Sequence, residues 1–155
     1  YGIKATGLWS NARQANLLRW GDVHGYARTV LVASDAPHLS RDDVGQAFAA
    51  LERRDVVIAR SLDGGYSLVG MRGYHDILSG VPMSTNSAAD ALVARATSLG
   101  LRVGETAAIF DIDEVADLDL LIGTLEPDGA AAPATWAALH SLGLLPETTV
   151  RRTAG

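Results

Sequence analysis

Three aspartates stand where α/β chains commonly build chemistry. Asp35 follows the run Thr29-Val30-Leu31-Val32-Ala33-Ser34, and Asp111 and Asp113 follow a second largely apolar stretch, Leu101 to Phe110. In open α/β sheets, ligands bind outside the carboxyl ends of the strands. Carboxylates gathered at one such edge repel one another unless a cation sits among them, and hard oxygen ligands suit Mg²⁺ or Mn²⁺. A cation held there would neutralise a diphosphate or triphosphate and its developing charge. Taken singly, each aspartate is better explained as a turn former or helix cap; Asp113 would cap a helix beginning at Glu114. Their joint placement tips the balance to a metal site.

Asp63-Gly64-Gly65-Tyr66 is a second candidate. Two glycines let a ligand approach the backbone closely, and Tyr66 offers a ring face or a hydroxyl. A hairpin turn followed by a strand aromatic accounts for the same residues. Ser84-Thr85-Asn86 could present hydroxyls and helix amides to a phosphate, or simply cap a helix. His38 lies three residues after Asp35, near the first acidic position. His24, His75 and His140 have no carboxylate or serine context suggesting a triad, and none of the four has ligand spacing. All four read as surface or packing residues, and Trp9, Trp20 and Trp136 as core or helix-packing residues.

The elements that must position these residues follow from periodicity and punctuation. Helix-compatible spacing runs from Leu8 to Trp20, and residues 29–34 read as a fully buried strand. Ser40 with Asp43 forms a helix start, carrying a helix to about Arg53 with Val44, Ala47, Phe48 and Leu51 on one face. Asp55 to Arg60 is a second buried strand. Tyr66 to Met71 returns antiparallel to it after the glycine turn. A short helix is expected over Tyr74 to Leu78. One of Ser84, Thr85 and Asn86 is expected to cap a helix from Ser87 to Leu99, which Gly100 ends. A strand within 101–110 leads to a helix from Glu114 to about Thr124. A Gly/Ala/Pro linker over 126–133 precedes a last helix over 134–144, and the tail after Pro146 is expected to be loose. The pattern predicts an α/β fold in three layers, its mixed, mostly parallel sheet covered by helices on both faces. Residues 1–125 read as the body of one α/β domain, and 126–155 as linker, terminal helix and tail of the same domain.

Composition narrows the class. The 155 residues are 48% hydrophobic and 20% charged, enough for a real core and too mixed for a disordered or fibrous chain. The net charge of −5, with no basic stripe, argues against nucleic acid as a partner. No run approaches a membrane span. The absence of cysteine excludes a disulfide scaffold, a thiol nucleophile and a zinc–thiolate site, and fits a cytoplasmic protein. Ala108 to Val115 also looks like the Asp-x-Asp nucleophile motif of haloacid-dehalogenase-type phosphatases. That family places its motif on the first strand, however, and here too little chain follows Asp113.

Four segments occur together in one order: residues 30–39 (VLVASDAPHL), 63–70 (DGGYSLVG), 81–85 (VPMST) and 110–118 (FDIDEVADL). Together they resemble a bacterial transferase group with a glycosyltransferase-A-like, nucleotide-diphospho-sugar transferase fold. The group is known as radical-SAM/selenodomain-associated transferases and is related to the molybdenum-cofactor and 2-phospholactate guanylyltransferases. The likeness covers roughly residues 25–122. It implies a divalent-metal-dependent transferase using a nucleotide-activated donor and an acceptor not named by the motifs. Asp35 matches the metal-binding aspartate after the central strand, and Asp111 and Asp113 match the paired metal-binding aspartates of the guanylyltransferases. Asp63, Gly64, Gly65 and Tyr66 match a signature on the sugar or acceptor side, with Ser84 and Thr85 beside it.

Three readings follow. The first is a metal-dependent glycosyl- or sugar-phosphate transferase, the second a nucleotidyltransferase with the same metal site, and the third a non-catalytic interaction domain. Two departures from the family bear on them. Met83 stands where the family usually has Trp. Nothing before Leu8 supplies the nucleotide-gripping strand and loop, and Lys4 is the sole lysine. The chain is therefore expected to be the C-terminal portion of a longer protein, or a degenerate copy. An edge left open by the missing strands would favour pairing between chains as a homo-oligomer.

Overall fold

The computed structural model describes residues 10–82 and 85–145. Lys4, Trp9, Met83, Ser84 and the tail after Pro146 lie outside the described residues. Two compact units divide between Asp111 and Ile112.

In the first unit, four strands form one sheet: β1 (Arg28–Val32), β2 (Val56–Arg60), β3 (Tyr66–Arg72) and β4 (Val103–Glu105), in the order β1-β3-β2-β4. β3 runs antiparallel to both neighbours, and β4 parallel to β2, so β1, β2 and β4 share one direction. The sheet is mixed, as the glycine hairpin requires. Val56 to Ala59 are all fully buried because both faces of β2 are covered. On one face, Val56, Ile58, Val69 and Met71 pack with Leu18 of α1 (Ser10–Val23) and with Ala89, Leu92 and Ala96 of α3 (Ala88–Ser98). On the other, Val57, Ala59 and Leu68 pack with Ala47 of α2 (Arg41–Ala50) and with Leu51. The alternation of β2 thus produces the expected three layers.

Several expected starts and stops are observed, and others move. Ser40 caps α2 in a reciprocal box with Asp43, and Gly100 follows α3 with φ +74°. No helix forms over 74–78. That segment closes only a tight turn from Ile77 N–H to His75 O (2.9 Å) while burying Ile77 and Leu78. Five residues cannot repay helix nucleation. The cap residue of α3 is Ser87, not one of the three residues before it, and its side chain makes no capping bond. Trp20 lies at the surface, 38% exposed, stacked on His24 and Tyr26. Only Val103–Glu105 joins the ladder; beyond it the chain follows β2 through single bonds, Thr106 N–H to Ile58 O and Ile109 N–H to Arg60 O, both 2.9 Å.

The second unit contains α4 (Asp117–Leu125) and α5 (Pro133–Ser141). α4 begins three residues later than expected, because Asp117 accepts the N–H groups of Asp113 (2.9 Å) and Glu114 (2.8 Å) and turns the chain first. Asp113 is therefore held by a cap and is not itself one. Leu121, Ile122, Leu125, Ala132 and Leu139 are buried. Among the described residues, no helix is long and apolar enough to cross a membrane.

Candidate active site

Because β1, β2 and β4 share a direction, their carboxyl ends lie at one edge of the first unit. Asp35 stands three residues past β1, Asp63 three residues past β2, and Asp111 two residues past the Ile109–Arg60 bond that prolongs the β4 segment along β2. The structure brings two of these together: a carboxylate oxygen of Asp63 and one of Asp111 lie within 4.8 Å. Asp63 is exposed and Asp111 half-buried. Sequence reasoning assigned Asp63 to the substrate side and missed it as a neighbour of Asp111. Asp35 is exposed at the same edge but outside that pair.

The turn that carries Asp63 is tightly specified. Gly64 adopts φ +90°, and a Cβ on it would lie 2.0 Å from the Asn86 carbonyl oxygen. The Gly64 carbonyl accepts from Ala89 N–H at 3.1 Å, which docks the hairpin on the start of α3. A Cβ on Gly65 would fall 2.9 Å from Ser61 Oγ and 3.0 Å from Asp63 Oδ1. That space holds two bonds to Asp63 Oδ1: Ser61 Oγ donates at 2.5 Å and Gly65 N–H at 2.8 Å. The Ser61 hydroxyl, and after it the Gly65 amide, hold the Asp63 carboxyl below the usual carboxylate range. Both bonds fall on one oxygen, Oδ1. Two carboxylates, one already oriented, fit Mg²⁺ or Mn²⁺, which commonly take one or two carboxylates and complete their shell with water and phosphate.

The segment reaching Asp111 is seated by its neighbours. The Phe110 ring stacks on His38, with centroids 3.8 Å apart and planes 14° apart. His38 Nδ1 is buried without a hydrogen-bond partner. Burial lowers the His38 pKa, and the charge of Asp43 opposes it weakly. The histidine after Asp35 is thus a packing residue.

Tyr66 donates to Gln14 Oε1 at 2.8 Å, joining β3 to α1. Burial pushes its hydroxyl up to about 12, so it stays protonated. With Gln14, Leu31 and Ala33 it lines a cleft of about 180 Å³ between α1 and the sheet. Thr85 is exposed, its hydroxyl 3.3 Å from both Pro82 O and Ser87 Oγ. Arg60, at the end of β2, is bound by Glu105 (2.9 Å) and Asp90 (2.8 Å). Nothing in the local sequence marked Ser61 or Gln14.

Residues 10–85, a little under half of the chain, match the profile of a family described as an uncharacterized protein conserved in bacteria (DUF2064). A crystal structure from Desulfovibrio desulfuricans G20, provisionally described as a nucleotide-diphospho-sugar transferase, has a TM-score of 0.79 at 25% identity. The match covers 89% of this chain and 62% of that one, so this chain spans under two thirds of that protein's length. No curated protein matches the chain. The fold is the mixed α/β fold of a nucleotide-diphospho-sugar transferase.

Proposed function

We propose that the chain carries the acidic edge of a metal-dependent transferase for a nucleotide-activated donor, most simply a glycosyl- or sugar-phosphate transferase. The observation that carries this reading is the Asp63–Asp111 pair at the carboxyl edge of a fold similar to a protein described as such a transferase. Asp63 and Asp111 hold Mg²⁺ or Mn²⁺, Asp113 follows two residues along the chain, and Asp35 adds a carboxylate at the end of β1. The cation, when bound, supplies positive charge against the donor diphosphate and the leaving nucleotide. Ser61 and the Gly65 amide keep Asp63 ionised and aimed. Gly64, Gly65, Tyr66 and Thr85 are assigned to the sugar or acceptor, as is Ser84, which lies outside the described residues.

Incubation of the chain with Mn²⁺ and a panel of nucleotide sugars and nucleoside triphosphates tests this. Release of free nucleoside diphosphate is expected for glycosyl transfer, and of nucleoside monophosphate for sugar-phosphate transfer. Pyrophosphate release would instead identify a nucleotidyltransferase. Neither product, together with no Mn²⁺ binding, would leave a non-catalytic domain.

A further inference from the structure

Among the described residues, Ser61 and Ser67 are polar residues buried in an otherwise apolar core, 6% and 1% exposed. Ser61 serves Asp63, as described above. The direction of Ser67 comes from an irregularity in the sheet. β3 pairs with β2 as Ala59 with Leu68 and then Arg60 with Tyr66, which leaves Ser67 as the extra residue of a β-bulge. A bulge re-aims one side chain and locally bends its strand.

Two polar groups of Ser67, its carbonyl and its hydroxyl, run to different arms of the acidic edge. Its carbonyl accepts from Ala33 N–H at 2.8 Å, two residues before Asp35. Its hydroxyl donates to Ile109 O at 2.7 Å in a buried bond, two residues before Asp111. The N–H of Ile109 is already spent on Arg60 O, so that residue is held by β2 on one side and by the bulge on the other. Alanine would nearly fill the same volume, so packing alone does not call for the hydroxyl. Removing it strands a buried carbonyl.

We propose that Ser67 is a positioning residue that fixes the spacing of the acidic arms, setting Asp111 against Asp63 through Ile109. The proposal rests on the metal-dependent reading of that pair, and it deepens that reading by naming the group that holds the geometry. Residues supporting a metal ligand from behind typically cost about 10–100-fold in affinity when removed.

The test compares wild type with Ser67→Ala, and with Ser98→Ala as control, because Ser98 makes a similar bond to Arg95 O (2.7 Å) away from the site. Amide hydrogen exchange across residues 106–113, measured without metal, should accelerate about 10-fold or more in Ser67→Ala and stay unchanged in Ser98→Ala. Mn²⁺ affinity by electron paramagnetic resonance should fall about 10-fold in Ser67→Ala alone. Unchanged exchange, or unchanged Mn²⁺ affinity where wild type binds the ion, overturns the role of Ser67. If wild type binds no Mn²⁺, the metal reading fails by itself and the exchange measurement still decides whether Ser67 holds the arm. Should Ser67→Ala not fold, Ser67→Cys fills the same space with a weaker donor and carries both comparisons.

Discussion

The backbone of Gly64 sits directly on the backbone of Asn86: a Cβ added to Gly64 would lie 2.0 Å from the Asn86 carbonyl oxygen and 2.5 Å from its carbon. Close approach and positive φ demand glycine here together. The turn bearing Asp63 is thereby locked to the start of α3.

Gly64→Ala should destabilise the chain by more than about 2 kcal/mol, because left-handed strain of about 1–3 kcal/mol adds to a clash with immovable backbone. Gly80, with φ +79° and open space around its Cα, isolates the strain term. Urea denaturation of Gly64→Ala and Gly80→Ala should show the first clearly worse. Equal losses would mean that the docking contact contributes nothing.

Asp63→Asn and Asp111→Asn should each abolish Mn²⁺ binding in a calorimetric titration while leaving the circular dichroism spectrum unchanged. Asp63 is the sharper case, since Ser61 and Gly65 already satisfy one of its oxygens. Retained affinity in both variants would remove the pair from the metal site.

Acid should weaken the His38–Phe110 stack. Burial lowers the His38 pKa, so the folded state binds fewer protons than the unfolded one. Stability from this group is complete above the unfolded value near 6.5 and is lost as pH falls through the folded value. His38→Phe keeps a ring on Phe110 and removes the titration. The fall in melting temperature between pH 7.5 and pH 5 should be smaller in this variant than in wild type.

Asp55 closes the opposite end of the sheet, bridging Arg72 (2.5 Å) and Arg102 (2.9 Å), the latter also through its backbone N–H (3.0 Å). Arg102, then Arg72, hold its carboxyl far below the ordinary range. That contribution is present above pH 4 and lost as pH drops through the folded value. Asp55→Asn should cost about 1–3 kcal/mol near neutral pH, with a smaller difference from wild type in strong acid.

What the sequence disclosed was mainly local. The apolar run Val56 to Ala59, the Ser40–Asp43 box and the Gly64–Gly65 turn each carry their own physical signal, and each reappears in the structure. The acidic edge was legible as a set of strand-end aspartates, but which of them meet was not. The proximity of Asp63 to Asp111 depends on β4 lying parallel beside β2, a pairing between distant segments that no short window contains. Ser67 was invisible for a related reason: a bulge is a mismatch between two strands, so neither strand shows it alone. Trp20 misled because aromatic size suggests burial, whereas the end of α1 offers it only other rings.

α3 has no side-chain cap of its own, since Ser87 makes no such bond. One of its unpaired first-turn amides, Ala89 N–H, is satisfied instead by Gly64 O across the fold. A hairpin is a local event completed in about 1–10 μs, and the first turn of α3 gains this partner only once the hairpin exists. The β2–β3 turn thus completes the first turn of a helix as well as presenting a carboxylate.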